Sequence, residues 1–369
     1  MSRDLLYLGI THASAPLAIR ESLRPSARQQ HEMLDRLAPL AEGRMVLSTC
    51  ERFELYAMTG RPDLAAWLEC VADWFHLPPR MVRSHAAVLI GIPAAEHLLR
   101  VAAGLESRIL GEPQILGQVR DAYCRALAVR TVDPVLASLG RAAIRAGRRV
   151  RHETTINRER VSIATLALNW AEQSAPDGLG HVVIVGTGRL ASDLVTELAA
   201  RRTARVTVVG RNAARAQILA RSVDGERAPM SSLESAAAAA DTLVTCTSAA
   251  SYLVDTGTVC RRRGSPLQVA DLSVPRNVDP NVAVLPWVRL AHLDDLVQGL
   301  AAGGEGIAAA ARIVAHELAA FHRWWRERRA VRQITRIVEA ARRSSRAGSP
   351  VLRRRLHGRI MRLKAEVAA

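Results

Sequence analysis

The chain has 369 residues, 49% hydrophobic and 23% charged, with 51 basic against 35 acidic side chains and a formal net charge of +16. This length exceeds the about 100–200 residues of an ordinary domain, so two or three domains are expected. No apolar run reaches the roughly 18 residues of a membrane-spanning helix, and the five cysteines lack C-x-x-C spacing, which argues against a membrane partner, a disulfide framework and a zinc site and predicts reduced thiols in a cytoplasmic protein.

Leu5–Ile10 reads as a strand, residues 25–40 carry helical periodicity, and Met45–Leu47 reads as a second strand. That strand delivers Leu47-Ser48-Thr49-Cys50-Glu51-Arg52-Phe53 to a loop, placing one cysteine between hydroxyl side chains and an arginine. The thiolate is the nucleophile and needs a nearby cation or hydrogen-bond donors to be favoured. Arg52 has a charge of the right sign, although composition alone also allows Cys50 to be a small buried hydrophobe. From Ala94 to about Glu172 the pattern is helical, interrupted by Gly111-Glu112-Pro113, a turn that opens the next helix. These helices are expected to form the back of a first, α+β domain.

At His181 the texture changes. Val182–Val185, Val206–Val209, Thr242–Thr245 and Leu267–Ala270 read as buried strands separated by helical patterns, which implies parallel β-α-β units beginning near Pro176–Gly178. After Leu296 the chain becomes a basic helical arm. From Arg312 to Ala369 it holds fifteen Arg and one Lys against four Glu, a net +12, so most of the charge is C-terminal. Such a surface suits a tRNA backbone or, equally, a solvated helix pair. Gly303, Gly304 and Gly306 would each cost about 1 kcal/mol relative to alanine inside a helix, which predicts a hinge or shortened spine, and Gly348-Ser349-Pro350 predicts a later break.

Directly after the Val182–Val185 strand, Gly186-Thr187-Gly188-Arg189-Leu190-Ala191 forms a G-x-G-x-x-A pattern opening a helix. Glycines there allow a tight turn and close approach of a pyrophosphate to free N–H groups at the helix start. The next strand ends in Val209-Gly210-Arg211-Asn212, with a cation where NAD sites commonly place an acid. This favours NADPH, with Arg211 on the 2′-phosphate and Arg189 and Arg215 as alternative contacts. The eleven histidines offer no H-x-x-x-H pair backed by acids, so no metal site is expected.

Several stretches together resemble glutamyl-tRNA reductase: Thr49-Cys50-x-Arg52, Gly104-Leu105-Glu106-Ser107, Leu110–Val119, Arg149-Val150-Arg151-x-Glu153-Thr154 and Asp271–Arg276, in the family's order. The resemblance implies an α/β multidomain subunit with an α+β catalytic domain (1–160), a Rossmann-type NADP-binding domain (161–298) and an all-helical, basic and short dimerisation domain (299–369). It further implies a homodimer that reduces glutamyl-tRNA to glutamate-1-semialdehyde with NADPH, releasing tRNA, for porphyrin biosynthesis. A transient complex with glutamate-1-semialdehyde aminomutase would receive the product. Cys50 matches the family nucleophile, which forms a thioester with the glutamyl group, and His97 a histidine that donates a proton or orients the ester. Arg52 would hold the side-chain carboxylate and Glu112 the α-ammonium, while Thr49, Glu51, Ser107, Pro113, Gln114 and Gln118 match positions around the substrate.

One position departs. The family has Asn-Arg-Thr after the nucleophile, and this chain has Glu51-Arg52-Phe53. A carboxylate beside Cys50 opposes thiolate formation unless Arg52 engages it; alternatively Glu51 faces solvent, because adjacent residues of an extended segment point to opposite sides. An alternative to the reductase is therefore a diverged relative that binds tRNA or a partner reductase without catalysis, or serves a specialised pathway. A small-molecule NADP dehydrogenase would leave the first 170 residues without a purpose.

Overall fold

The run Leu5-Leu6-Tyr7-Leu8-Gly9-Ile10 lies in strand β1 (Asp4–Thr11), inside a four-stranded antiparallel sheet with β2 (Gly43–Ser48), β3 (Arg52–Thr59) and β4 (Ala87–Ile90) in the order β2-β3-β1-β4. The computed structural model describes residues 3–60, 63–156, 162–175, 178–201, 205–260, 266–297, 305–344, 355 and 357–362. Strand alternation sends Leu5 and Tyr7 to one face with Met45, Leu47 and Tyr56, and Leu6, Leu8 and Ile10 to the other with Val46, Phe53 and Leu55. Both faces are covered, which is why the strands read as unbroken apolar runs instead of alternating ones.

Helices α1 (Leu17–Ser22), α2 (Ala27–Arg36), α3 (Leu64–Phe75) and α4 (Pro79–His85) lie in the first half of this unit, and Met33, Leu34, Trp67, Val71 and Val82 cover the second face. The first face carries α5 (Ile92–Ala103), α6 (Pro113–Ala128) and α7 (Pro134–Glu153). α2 starts on a reciprocal capping box between Ser26 and Gln29. Asp63 and Asp133 cap α3 and α7, satisfying N–H groups that a helix start leaves unpaired.

Helix α8 (Ile163–Ser174) ends the long helical stretch, but Ala164, Ala167, Leu168 and Ala171 bury against the second core. Only its predecessors back the first sheet. The second unit is a six-stranded parallel sheet of β5 (His181–Val185), β6 (Arg205–Val209), β7 (Glu226–Ala228), β8 (Thr242–Thr245), β9 (Leu267–Asp271) and β10 (Val288–His292), ordered β10-β9-β8-β5-β6-β7. Its helices are α9 (Arg189–Arg201), α10 (Ala213–Arg221), α11 (Leu233–Ala239), α12 (Thr256–Cys260) and α13 (Leu293–Leu296). The four expected strands are present. β7 and β10 carry no strong sequence signal, since β7 spans three residues without a buried side chain and β10 is only half covered.

The first part of the basic arm is one helix, α14 (Glu305–Ser344), of 40 residues and about 60 Å, and residues 357–362 are helical as well. Gly306 lies within its first turn, whereas Gly303, Gly304 and Gly348–Pro350 fall outside the described residues. Ala310, Ile313, Val314, Phe321 and Trp325 join the core of the first unit, so the arm starts by packing back on the N-terminal sheet's helices. Part of its basicity is structural. Arg329 pairs with Asp4 at 3.2 Å and stacks over Trp325, and Arg328 stacks over Trp324.

Gly147 of α7 marks a close backbone approach to α5 in this bundle. A Cβ there would sit 2.5 Å from the Ala102 carbonyl oxygen and 2.7 Å from Leu116 Cδ1. Backbone cannot move aside as a side chain does, so Gly147→Ala should lower stability by about 1–3 kcal/mol, read as a reduced urea midpoint with unchanged slope.

Candidate active site

The nucleophile candidate sits on the hairpin turn joining β2 to β3. Thr49 N–H donates to the Arg52 carbonyl at 2.8 Å, the Thr49 hydroxyl accepts from Glu51 N–H at 3.1 Å, and the Glu51 carbonyl accepts from His12 N–H at 2.8 Å. Arg20 of α1 adds a bond of 2.9 Å from Nη1 to the Cys50 carbonyl. The turn is thereby fixed on both sides, with Cys50 half-buried at its tip.

Beneath it lies a buried polar cluster. Glu54, 0% exposed, accepts from Arg52 Nη1 at 2.9 Å and from the Tyr56 hydroxyl at 2.8 Å, and lies 3.1 Å from His97 Nε2. The His97 ring is 4.3 Å from that of Tyr7. Arg52 also donates to the Glu106 carbonyl at 2.5 Å, while its Nε is buried without a partner. Burial alone would raise the Glu54 carboxyl, but the Arg52 charge and the bonds from His97 and Tyr56 outweigh it and hold it at about 2. Burial and the Glu54 charge push the Tyr7 and Tyr56 hydroxyls up, which keeps both neutral and Tyr56 a donor to Glu54.

Glu51 does not face solvent. It is 6% exposed, its carboxylate accepts from Arg108 N–H at 3.3 Å, and it lies 3.8 Å from His12 Nδ1 and 4.0 Å from Arg52 Nη2. The turn rolls its side chain inward, so the alternation of an extended segment does not apply there. Burial pushes the Cys50 thiol up to about 12, reinforced by the charges of Glu51 and Glu112 and opposed by those of Arg24 and Arg20.

Across from this turn lies the Gly186–Ala191 loop, between β5 and α9. Gly186 has φ +134°, and a Cβ on it would lie 2.6 Å from the Cys246 carbonyl oxygen at the end of β8. Only glycine allows the loop to pass there. β5 and β8 are the adjacent central strands where the sheet reverses its order, the position at which such sheets bind ligands. A cleft of about 1100 Å³ runs between the two units. Cys50, Glu112 and Gln114 line one side; Gly186–Leu190, Arg211 and Arg215 line the other. A glycine turn at a helix start, a roomy cleft and two cations at the β6 end suit a dinucleotide.

Several expected site residues do not line this cleft. Arg52 and His97 are engaged by Glu54 below it, and Ala191 is buried beneath the loop. Ser107 is 5% exposed and its hydroxyl is buried without a partner. Pro113 is the first residue of α6, with its carbonyl and that of Glu112 bound by Arg151 at 3.4 and 3.1 Å, while Gln118 lies one turn further along the helix. Thr49 serves the turn. Sequence reasoning missed Glu54, Tyr56, Tyr7 and Arg24. The first two share a face with Arg52 at alternate positions of β3, a signal lost because the segment reads as a loop. Arg24, exposed on the cleft wall near Cys50, carries no local mark. Among the described residues, no group of three His, Cys, Asp or Glu side chains is arranged to hold a metal.

Because the folded state depresses the Glu54 carboxyl, its ionisation stabilises the fold above the ordinary carboxylate range and this contribution is lost as pH falls toward about 2. Glu54→Gln should remove that acid-labile component and leave Arg52 buried without its counter-charge. The expected cost at pH 7 is about 3–5 kcal/mol, seen in urea titrations at pH 7 and pH 4 as a lower midpoint with a flatter acid dependence.

Comparison with known proteins meets both halves of this site. Residues 8–154 match the glutamyl-tRNAGlu reductase N-terminal domain, and residues 170–298 match the shikimate/quinate 5-dehydrogenase family. Glutamyl-tRNA reductase of Sorangium cellulosum (strain So ce56) is 38% identical over 355 residues, covering 88% of this chain and 67% of that one. That of Pelotomaculum thermopropionicum is 36% identical over 334 residues, covering 87% and 75%. The solved glutamyl-tRNA reductase of Methanopyrus kandleri aligns with 99% of this chain and 93% of its own at 27% identity and a TM-score of 0.48. A dehydrogenase-type nucleotide fold follows directly behind a catalytic-type N-terminal half, and relatives match across both; the chain belongs to the glutamyl-tRNA reductase family of oxidoreductases.

Proposed function

We propose that this protein reduces glutamyl-tRNA to glutamate-1-semialdehyde with NADPH through a thioester on Cys50. The observation that carries this reading is the shared cleft: Cys50 and the Gly186–Leu190 loop, far apart in sequence, line the same space.

Cys50 Sγ attacks the ester carbonyl, a C–S bond forms, and the ribose oxygen of the tRNA leaves with a proton. Within this reading, Gly186, Gly188 and the first turn of α9 would hold the pyrophosphate and Arg211 the 2′-phosphate. When bound, the nicotinamide cofactor supplies the hydride that takes the thioester to the aldehyde. Cys50 then departs as thiolate. In this reading His97, held 3.1 Å from Glu54, donates the proton to the leaving oxygen or orients the ester.

Glu112 has two roles in this reading. Its charge is one of two that raise the Cys50 thiol. A substrate α-ammonium bound to it would cancel that charge and ease thiolate formation, so the nucleophile is activated by the substrate that consumes it. Arg52 would have to exchange Glu54 for the side-chain carboxylate, whereas Arg24 already faces the cleft. From Val331 to Glu339 no residue of α14 is buried, which supports a homodimer through the arm and a basic surface for the tRNA backbone. Hand-over of the aldehyde to glutamate-1-semialdehyde aminomutase belongs to the same proposal.

Single-turnover reaction of labelled glutamyl-tRNA should give acyl-enzyme without NADPH and aldehyde with it, and Cys50→Ser should give neither. Acylation absent in the natural chain and restored by Glu51→Asn would instead identify a tRNA-binding relative that has left catalysis. Arg211→Ala should raise the KM for NADPH about tenfold, the loss of one charge-assisted hydrogen bond, with the KM for NADH little changed.

A further inference from the structure

Two consecutive residues at the end of α1 reach across to the nucleotide-binding unit with opposite charges. Arg20 donates from Nη2 to both Asp294 carboxylate oxygens at 2.7 and 2.8 Å, and Glu21 accepts from Arg276 at Nε, Nη2 and the backbone N–H at 2.7–3.2 Å. Asp294 lies in the first turn of α13 and Arg276 follows β9, so both partners stand at the C-terminal ends of the parallel strands, beside the cleft. Arg108 adds a second cation on Asp294 at 2.8 Å.

The pairing has a built-in register. Sliding one unit past the other would bring Arg20 toward Arg276 in one direction or Glu21 toward Asp294 in the other, like against like either way. Arg20 is 3% exposed and its other nitrogens bind the Cys50 and Ala15 carbonyls, so it cannot follow the nucleotide unit outward without disturbing the nucleophile's turn. Between the pairs lies a small apolar contact of Leu17 with Val274 and Leu293, against which Cys50 itself packs. The nucleotide unit thus supplies part of the cover over the thiol.

We infer that Arg20–Asp294 and Glu21–Arg276 form a charge clamp that sets how far the nucleotide unit stands from Cys50: released, it uncovers the thiol for acylation; engaged, it presents the acylated cysteine to the nucleotide site. This deepens the reductase reading and rests on it for the two steps, while the uncovering of Cys50 does not need it. Arg20 is a positioning residue in this scheme, because it acts through the Cys50 carbonyl.

The clamp is tested on the full-length chain with Arg276→Glu, Glu21→Arg and the exchanged pair E21R/R276E. Iodoacetamide labelling of Cys50, followed by mass spectrometry of its peptide without cofactor, should be about tenfold faster in each single variant and return toward the natural rate in the exchanged pair. X-ray scattering should show a larger radius of gyration in the single variants only. With glutamyl-tRNA and NADPH, the single variants should still acylate Cys50 but form aldehyde about tenfold more slowly. Unchanged labelling and scattering in the single variants, or an exchanged pair no better than either, would overturn the clamp. Acylation absent from the natural chain while labelling responds as stated would instead retire the reductase reading and leave the clamp standing.

Discussion

The burial of the Glu54 carboxylate is the constraint on which the N-terminal half is built. A charge with no exposed surface is tolerated only when fully partnered, and the partners here come from two elements: Arg52 and Tyr56, two residues before and after it on β3, and His97 from α5. Arg52 in turn ties the Glu106 carbonyl to the sheet, which holds the segment between α5 and α6 against the turn that carries Cys50. One ion pair thereby holds the Glu106 segment against the Cys50 turn and orients His97.

This arrangement explains why Arg52 is in the right motif yet occupied. A guanidinium with one buried counter-charge and one carbonyl acceptor has little left for a ligand, and the open cations on the cleft are Arg24 and those of the nucleotide unit. The acidic neighbour that departs from the family pattern is absorbed in the same way. Glu51 turns inward to the Arg108 backbone and toward His12 and Arg52, and there it adds to the burial that keeps Cys50 a neutral thiol. Burial and nearby carboxylates both disfavour the thiolate, so ligand charge is a natural lever on the nucleophile.

The two units are joined by more than the chain. Between α1 and the sheet edge of the nucleotide unit stand paired charges of alternating sign beside an apolar contact, a combination that is orientation-specific because the two neighbouring charges of α1 are opposite and each meets its counter-charge. The C-terminal helix takes the opposite course, packing its first turns on the helices of the N-terminal half.

The sequence by itself determined the parts whose signals are local. Period-two and unbroken apolar runs gave β1, β2 and the four central strands of the second sheet, and the glycine turn after β5 gave the nucleotide loop, because backbone geometry and side-chain size act over a few residues. The motif around Cys50 and the Gly111–Val119 segment likewise pointed to the family that the N-terminal half matches. Tertiary structure alone decided how those parts face each other. That α8 belongs to the second core, that Glu51 turns inward, that Glu54 anchors Arg52 and His97, and that Arg20 and Glu21 grip the other unit all depend on contacts between residues distant in sequence. Such contacts leave no periodicity or spacing to read, since an arginine destined for a buried pair and one destined for solvent look alike until the chain has folded.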